Sequence, residues 1–244
     1  MSGHSKWNNI KRKKEKTDAQ RAKVFTKMGR EIAVAVREGG ADPASNGKLR
    51  DVIAKAKAAN VPNENIERIV KKSSGDRAQY ETIVYEGYGP GGVAVIVEAL
   101  TDNRNRTASD LRLYFDKHGG NLGAPGCVSF MFSEKGIIVA ELGSRSEDDV
   151  MEDCFEAGGD DVNFELGAAE ILTDPARFRQ VREYFEGKGY AFLSADVEFV
   201  PATLVRIEEP ERLTLLSRLF EKLDDNDDVK NYWHNLDNSE DLPQ

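Results

Sequence analysis

Cysteine, histidine and tryptophan are scarce in this 244-residue chain, at two, three and two copies. Cys127 and Cys154 form no disulfide framework and show no metal-ligand spacing, so a reducing cytoplasm is the expected location. His4, His118 and His234 stand in unrelated contexts, and no pair has the spacing of a zinc site. Long apolar runs are missing as well. Stretches such as Val93–Val97 and Gly136–Ala140 fall far below the roughly 18 residues of a membrane helix. The opening MSGHSKWNNIKRKKEK has no apolar core behind its charges, which excludes a secretory signal, and Glu15 and Asp18 argue against a transit peptide. A nucleophile elbow, a Walker loop and a supported Cys–His pairing are also lacking. These gaps give four expectations: no enzyme activity, no cofactor or metal, no small-molecule substrate and no membrane partner.

Charge is abundant and unevenly spread. The formal net charge is −9, yet residues 1–80 hold 19 Lys+Arg and 9 Asp+Glu, a net of +10. Residues 81–244 hold 15 and 34, a net of −19. A basic head on an acidic body points to an anionic partner for the head. The first thirty residues alone carry 10 Lys+Arg against 2 Asp+Glu. The composition, 39% hydrophobic and 32% charged, is that of a globular rather than a disordered chain.

Periodicity divides the chain in the same place. Thr17-Asp18-Ala19-Gln20 reads as a capping box, and Val24, Phe25, Met28, Ile32, Ala35 and Val36 then form one apolar stripe ending at Gly39-Gly40. Lys23, Lys27, Arg30 and Arg37 fall on another stripe. Leu49, Val52, Ile53 and Ala56 mark a second helix, closed by Asn60 and the Val61-Pro62 break. Asn63 is expected to cap a third, with Ile66, Ile69 and Val70 inward. Residues 1–79 thus read as a basic three-helix domain.

Beyond Tyr80 short strands alternate with helices. Strands are expected at 81–88, 92–100, 128–132, 136–141, 168–173, 196–200 and 229–234. Helices are expected after Thr107, over 147–157, after Asp174-Pro175 and over 210–223. The helix endings LRLYFDKHGG, MEDCFEAGG and VREYFEGKG form a loose repeat, each with an aromatic three or four residues before a glycine. The fold class expected is α+β: the helical domain, then two small α/β domains, ferredoxin-like or related. Residues 80–133 plus 205–244 would form one of these and 134–204 the other, inserted in it, although the pattern equally allows contiguous halves.

The basic head carries the strongest local signal. Lys6, Lys11, Arg12, Lys13 and Lys14, continued by Arg21, Lys23, Lys27 and Arg30, can neutralise phosphates and release counterions without reading bases. Trp7 beside Lys6 adds a stacking surface for an unpaired base. The competing reading is a solvated face, or a head folded back on the acidic body. In Asp102-Asn103-Arg104-Asn105-Arg106-Thr107 a polar loop opens a helix, so Arg104 and Arg106 form a second candidate phosphate contact, weighed evenly against a plain cap. Gly87-Tyr88-Gly89-Pro90-Gly91-Gly92 matches G-x-G-x-x-G, but a β-branched strand follows where a dinucleotide site needs a helix, so a tight hairpin is expected. Gly119–Gly123 reads as a mobile stretch. The acidic runs Asp160-Asp161 and Asp224–Asp228 read as solvated turns, with a weak divalent-ion site as the minor alternative.

Several long compound segments resemble one family. GHSKWNNIK, KVFTKMGREIAVAVREGGADPASN, AKAANVPNENIERIVKK, YEGYGPGGVAVIVEALTDNRNRTASDLR and GGNLGAPGCVSFMF are similar to the YebC/PmpR family, which includes the mitochondrial translational activator of cytochrome c oxidase. The resemblance spans essentially the whole chain and is strongest over residues 3–132. It departs at Arg12, where histidine is common, at Ala22, where glycine is common, and at the indole of Trp233. The resemblance implies a helical domain followed by two α/β domains, the last inserted in the middle one, with no enzymatic activity. It also implies a DNA-binding transcriptional regulator or, in other members, a ribosome-associated factor that helps translation of proline-rich stretches. The combined expectation is a cytoplasmic nucleic-acid-binding regulator, its partner promoter DNA or ribosomal RNA. An acidic protein–protein adaptor is the competing class.

Overall fold

The computed structural model describes residues 18–73 and 80–243, with side chains from Lys23 onward. The expected cap at Thr17 and the head residues Lys6, Trp7, Lys11, Arg12, Lys13 and Lys14 lie outside the described residues, as does the side chain of Arg21. Two units make up the described chain. One comprises the residues up to Cys127 together with Thr214–Tyr232, and the other Val128–Leu213 together with the chain from Trp233.

The first unit begins with helices α1 (Asp18–Gly39), α2 (Gly47–Ala58) and α3 (Asn63–Ser73). The apolar stripe read from the sequence makes their core: Met28, Ile32, Ala35 and Val36 of α1 meet Leu49 and Ala56 of α2, Val61 of the connection and Ile66 of α3. Helix α1 stops where Gly40 adopts φ 87° and its N–H returns to the Val36 carbonyl at 2.8 Å. Asn46 joins the first two helices. Its Oδ1 accepts from Leu49 N at 3.0 Å, and its Nδ2 donates to Ala35 O at 2.7 Å and Gly40 O at 2.8 Å. The start of α3 is held by the Pro62 carbonyl, which accepts from Asn65 and Ile66, rather than by a cap at Asn63.

A four-stranded sheet of order β3-β1-β2-β8 completes this unit, from β1 (Glu81–Tyr88), β2 (Ala94–Thr101), β3 (Asn121–Leu122) and β8 (Val229–His234). Strands β1 and β2 pair antiparallel with Tyr88 opposite Ala94. Gly91 and Gly92 turn between them at φ 73° and 78°, so the G-x-G-x-x-G match is a hairpin. Strand β2 is buried almost throughout, as its β-branched run requires. Helix α4 (Arg104–Lys117) follows, and its buried side is Thr107, Leu111 and Phe115. Two readings change here. The cap of α4 is Asn103, whose side chain accepts from Arg106 N at 3.1 Å, four residues before the expected Thr107. The Gly119–Gly123 stretch, expected to be mobile, contains β3, which pairs with Gly87 and Tyr88. A Cβ on Gly87 would stand 2.6 Å from the Asn121 carbonyl, so glycine allows this approach.

The second unit holds a sheet of order β5-β6-β4-β7, with β4 (Phe132–Glu141), β5 (Asp161–Glu165), β6 (Ala168–Thr173) and β7 (Phe192–Pro201), every described pairing antiparallel. Helices α5 (Glu147–Ala157) and α6 (Phe178–Gly187) cover one face, where Ile138, Ala140, Ala169 and Ile171 pack on Val150, Cys154, Val181 and Phe185. Strand β5 opens on Asp161, where a solvated turn is expected. The expected strand over 128–132 is a short 3₁₀ turn at Ser129–Met131 leading into β4. Helix α7 (Pro210–Asp225) precedes β8. With an N-terminal helical region and two antiparallel sheets, the protein is α+β.

Candidate nucleic-acid interface

Five of the residues expected to meet phosphate are described with their side chains: Lys23, Lys27, Arg30, Arg104 and Arg106. Four of the five converge on one acidic turn. The acidic turn Asp224–Asp228, whose first two residues are the end of α7 rather than part of a loop and whose remainder leads into β8, approaches the cationic stripe of α1. Lys23 Nζ meets Asp225 Oδ1 at 2.5 Å, and Lys27 Nζ donates to the Asp224 carbonyl at 2.9 Å. Arg30 Nη1 donates to the Asp227 carbonyl at 2.8 Å and to Asp228 Oδ1 at 2.5 Å. The same guanidinium lies 5.6 Å from the Tyr80 ring centre.

Asp228 is the centre of this arrangement and is 4% exposed. From the opposite side Arg106 Nη2 reaches Oδ2 at 2.8 Å and Oδ1 at 3.0 Å, with Nε at 3.2 Å from Oδ2. Thr107 Oγ1 donates to Oδ2 at 2.8 Å and lies 2.9 Å from Thr101 Oγ1. Thr101 Oγ1 also accepts from Asn103 N at 2.9 Å, which fixes the loop that caps α4. Burial alone would raise the Asp228 pKa; the hydrogen bonds from Arg106, Thr107 and Arg30 outweigh it and hold the carboxyl below its ordinary value. Arg106 is shifted upward, first by its hydrogen bond to Asp228 and then by that to Asp102.

Asp228 is thus not the solvated turn residue that its acidic run suggested. Arg30 and Arg106 together neutralise it, so both guanidinium groups are turned to one carboxylate of the protein itself. Arg104 differs from them. It is 65% exposed, 4.0 Å from Glu81, and only its main-chain carbonyl is tied down, by the Tyr85 hydroxyl at 3.2 Å. Lys23 is intermediate, 36% exposed in a pair whose Asp225 is 54% exposed. The predicted residues therefore separate into Arg30 and Arg106, which share the buried Asp228 carboxylate, and Lys23, Lys27 and Arg104, which do not touch it.

Sequence reasoning missed Asp228, Thr101 and Thr107 as one constellation. Thr101 and Thr107 lie six residues apart, but their shared partner lies more than 120 residues away. No periodicity reports a contact of that kind. The thiols are quiet: burial pushes Cys154 up to about 11, helped by Asp161 and Asp160, and raises Cys127, with Glu86 adding to it. His118 Nδ1 lies 2.7 Å from the Tyr114 carbonyl. Among the described residues no group of His, Cys, Asp and Glu is arranged to hold a metal ion, and no helix is long and apolar enough to cross a membrane.

An α+β chain of this order, with a helical head and two antiparallel sheets, has relatives. Residues 5–76 match the TACO1/YebC protein N-terminal domain, and residues 80–236 match the TACO1/YebC second and third domain. The chain belongs to the TACO1/YebC family. It is 56% identical over 238 residues to a probable transcriptional regulatory protein of Acetivibrio thermocellus, covering 96% of this chain and 98% of that one. It is 55% identical to another so named in Ruminiclostridium cellulolyticum, covering 98% of each. A crystal structure of a conserved hypothetical protein from Aquifex aeolicus superimposes with a TM-score of 0.81 at 44% identity, covering 91% of this chain and 92% of that one.

Proposed function

We propose that this protein is a non-enzymatic regulator, acting in the cytoplasm, that binds nucleic acid through its basic N-terminal segment and the accessible cations of α1. The observation that carries the reading is the charge distribution. Eight net positive charges fall in the first thirty residues of a chain whose remainder beyond residue 80 is strongly acidic. The names of its relatives in Acetivibrio and Ruminiclostridium support a regulatory role in transcription. Lys6, Lys11, Arg12, Lys13, Lys14 and Arg21 supply phosphate contacts, Trp7 a base-stacking surface, and Lys23, Lys27 and Arg104 the flanking contacts. The protonated thiols and the Asp228 carboxylate held between two arginines favour binding over catalysis.

The test is a salt titration of binding to labelled mixed-sequence DNA and RNA. Affinity should fall linearly in log salt, with a slope set by several phosphates. Replacing Lys11, Arg12, Lys13 and Lys14 together by Ala should weaken binding by about two orders of magnitude or more at 0.1 M salt and reduce the slope by about three to four. Unchanged affinity would end the reading in favour of the adaptor class. Crosslinking in cells followed by sequencing then decides the polymer: promoter fragments support a transcriptional role, and ribosomal RNA a role on the ribosome.

A further inference from the structure

The contacts between α1 and the Asp224–Asp228 turn are of two physical kinds. Arg30 meets Asp228 with side chains only 18% and 5% exposed, inside a network that also holds Arg106, Thr101 and Thr107. Removing one member leaves a desolvated charge, so this part stays formed. One and two helical turns earlier, Lys27 and Lys23 meet the turn in the open. Lys23 and Asp225 are 36% and 54% exposed, and exposed pairs of this kind exchange readily with water and ions. Four carboxylates within five residues make the turn a local polyanion. It holds the very cations that a phosphate backbone would need.

We propose that the turn is a built-in competitor for nucleic acid: the polymer takes Lys23 and Lys27 from Asp225 and the Asp224 carbonyl, while Arg30 and Arg106 stay on Asp228. This rests on the nucleic-acid reading above and adds a regulatory step to it. The turn sets a threshold, so that only a polymer presenting enough phosphate density displaces it, and short or isolated anions do not. The consequence is an affinity limited by the protein's own acidic residues.

Binding of a labelled mixed-sequence oligonucleotide to the full chain at 0.1 M salt tests this with three variants. Asp225→Asn should bind about two- to fivefold more tightly than wild type, the range expected for releasing one exposed pair. Asp227→Asn removes the same charge from the same turn, but Asp227 touches α1 through its main-chain carbonyl, so it should give less than half of that gain. Combining Asp225→Asn with Lys23→Ala should abolish the gain, because the lysine that was released is gone. Unfolding midpoints of all variants should stay near wild type. Equal gains from Asp225→Asn and Asp227→Asn, or a gain that survives Lys23→Ala, would show a general field effect and overturn the exchange. No gain from Asp225→Asn in a wild-type protein that binds also overturns it, while leaving the nucleic-acid reading intact. Absence of binding by wild type to both DNA and RNA would remove that reading, and the exchange with it.

Discussion

Asp153 in one unit and Asp228 in the other are each a shielded carboxylate among cations and hydroxyls, and the two are wired differently. Asp153 on α5 accepts from the Tyr190 hydroxyl at 2.6 Å, Lys188 Nζ at 2.7 Å and the Tyr184 hydroxyl at 3.4 Å, all within 37 residues of it. Asp228 gathers Arg30, Thr101, Arg106 and Thr107, which lie 121 to 198 residues away. The first arrangement ties a helix to its neighbour in sequence, α6, and to the residues just after it. The second ties α1, the end of β2 and the start of α4 to a turn near the other end of the chain. Similar chemistry therefore serves local order in one unit and long-range order in the other. In both, burial raises the pKa and the hydrogen bonds lower it further, leaving each carboxyl below its ordinary value.

Breaking the long-range hub should have the largest effect. Asp228→Asn keeps the shape but removes the carboxylate that Arg30 and Arg106 share, leaving Arg106 with Asp102 and Arg30 with main-chain carbonyls. A loss of about 2–4 kcal/mol is expected, short of a fully buried case because Arg106 is 45% exposed. Hydrogen exchange should locate it, with protection falling in α1, β2 and the start of α4 but not in α5 or α6. The pH dependence follows from the depressed pKa. The hub's stabilisation is complete above the unfolded-state value near 4 and is lost as pH falls through the lower folded value. The wild-type and Asp228→Asn midpoints should therefore converge below about pH 4. A constant gap down to pH 2 would show that the charge of Asp228 is not what stabilises the unit.

Asp153→Asn should cost less, about 1 kcal/mol, because water can replace the carboxylate around Lys188 and Tyr184 once they are released. The loss should appear as faster exchange in α5 and α6 alone. If it loosened α1 and β2 as much as Asp228→Asn does, the division between local and long-range hubs would fail.

These hubs also mark where the sequence was readable. The apolar stripe of α1, the β1–β2 hairpin and the helices at 147–157 and 210–223 were legible because periodicity and glycine punctuation are local signals. The repeat of helix endings shows how narrow such a signal is. Phe115 and Phe185 stand four residues before Gly119 and Gly189 and are fully buried. Phe155 stands three before Gly158, is rotated about 100° by the missing residue and is 61% exposed, while Cys154 and Ala157 fill the core instead. Asp228 was illegible for a different reason. Nothing in Asp224–Asp228 distinguishes the one buried carboxylate from its solvated neighbours, since the difference lies in residues brought to it by the fold. Strand β5 was hidden because it opens on Asp161, a residue type that favours turns.

The smallest effect bears on the exposed pairs, and on whether Lys23 can leave Asp225. Lys48 and Glu38 meet at 2.5 Å with side chains 58% and 47% exposed, the same spacing and a similar openness to Lys23 and Asp225. Neither partner is pinned by a surrounding network of the kind that holds Asp228. Ordering two long side chains in water offsets most of what their attraction supplies, so Lys48→Ala should change stability by no more than about 0.5 kcal/mol in denaturant titration. The nearby Asn46→Ala provides the scale. It removes a buried cap and two hydrogen bonds to main-chain carbonyls, and should cost several times more. A loss above 1 kcal/mol for Lys48→Ala would mean that exposed pairs on this helix are held far more firmly than their solvation allows. The distinction between the fixed Arg30 and the exchangeable Lys23 would then collapse, and the whole turn would have to move as one body for α1 to meet a phosphate.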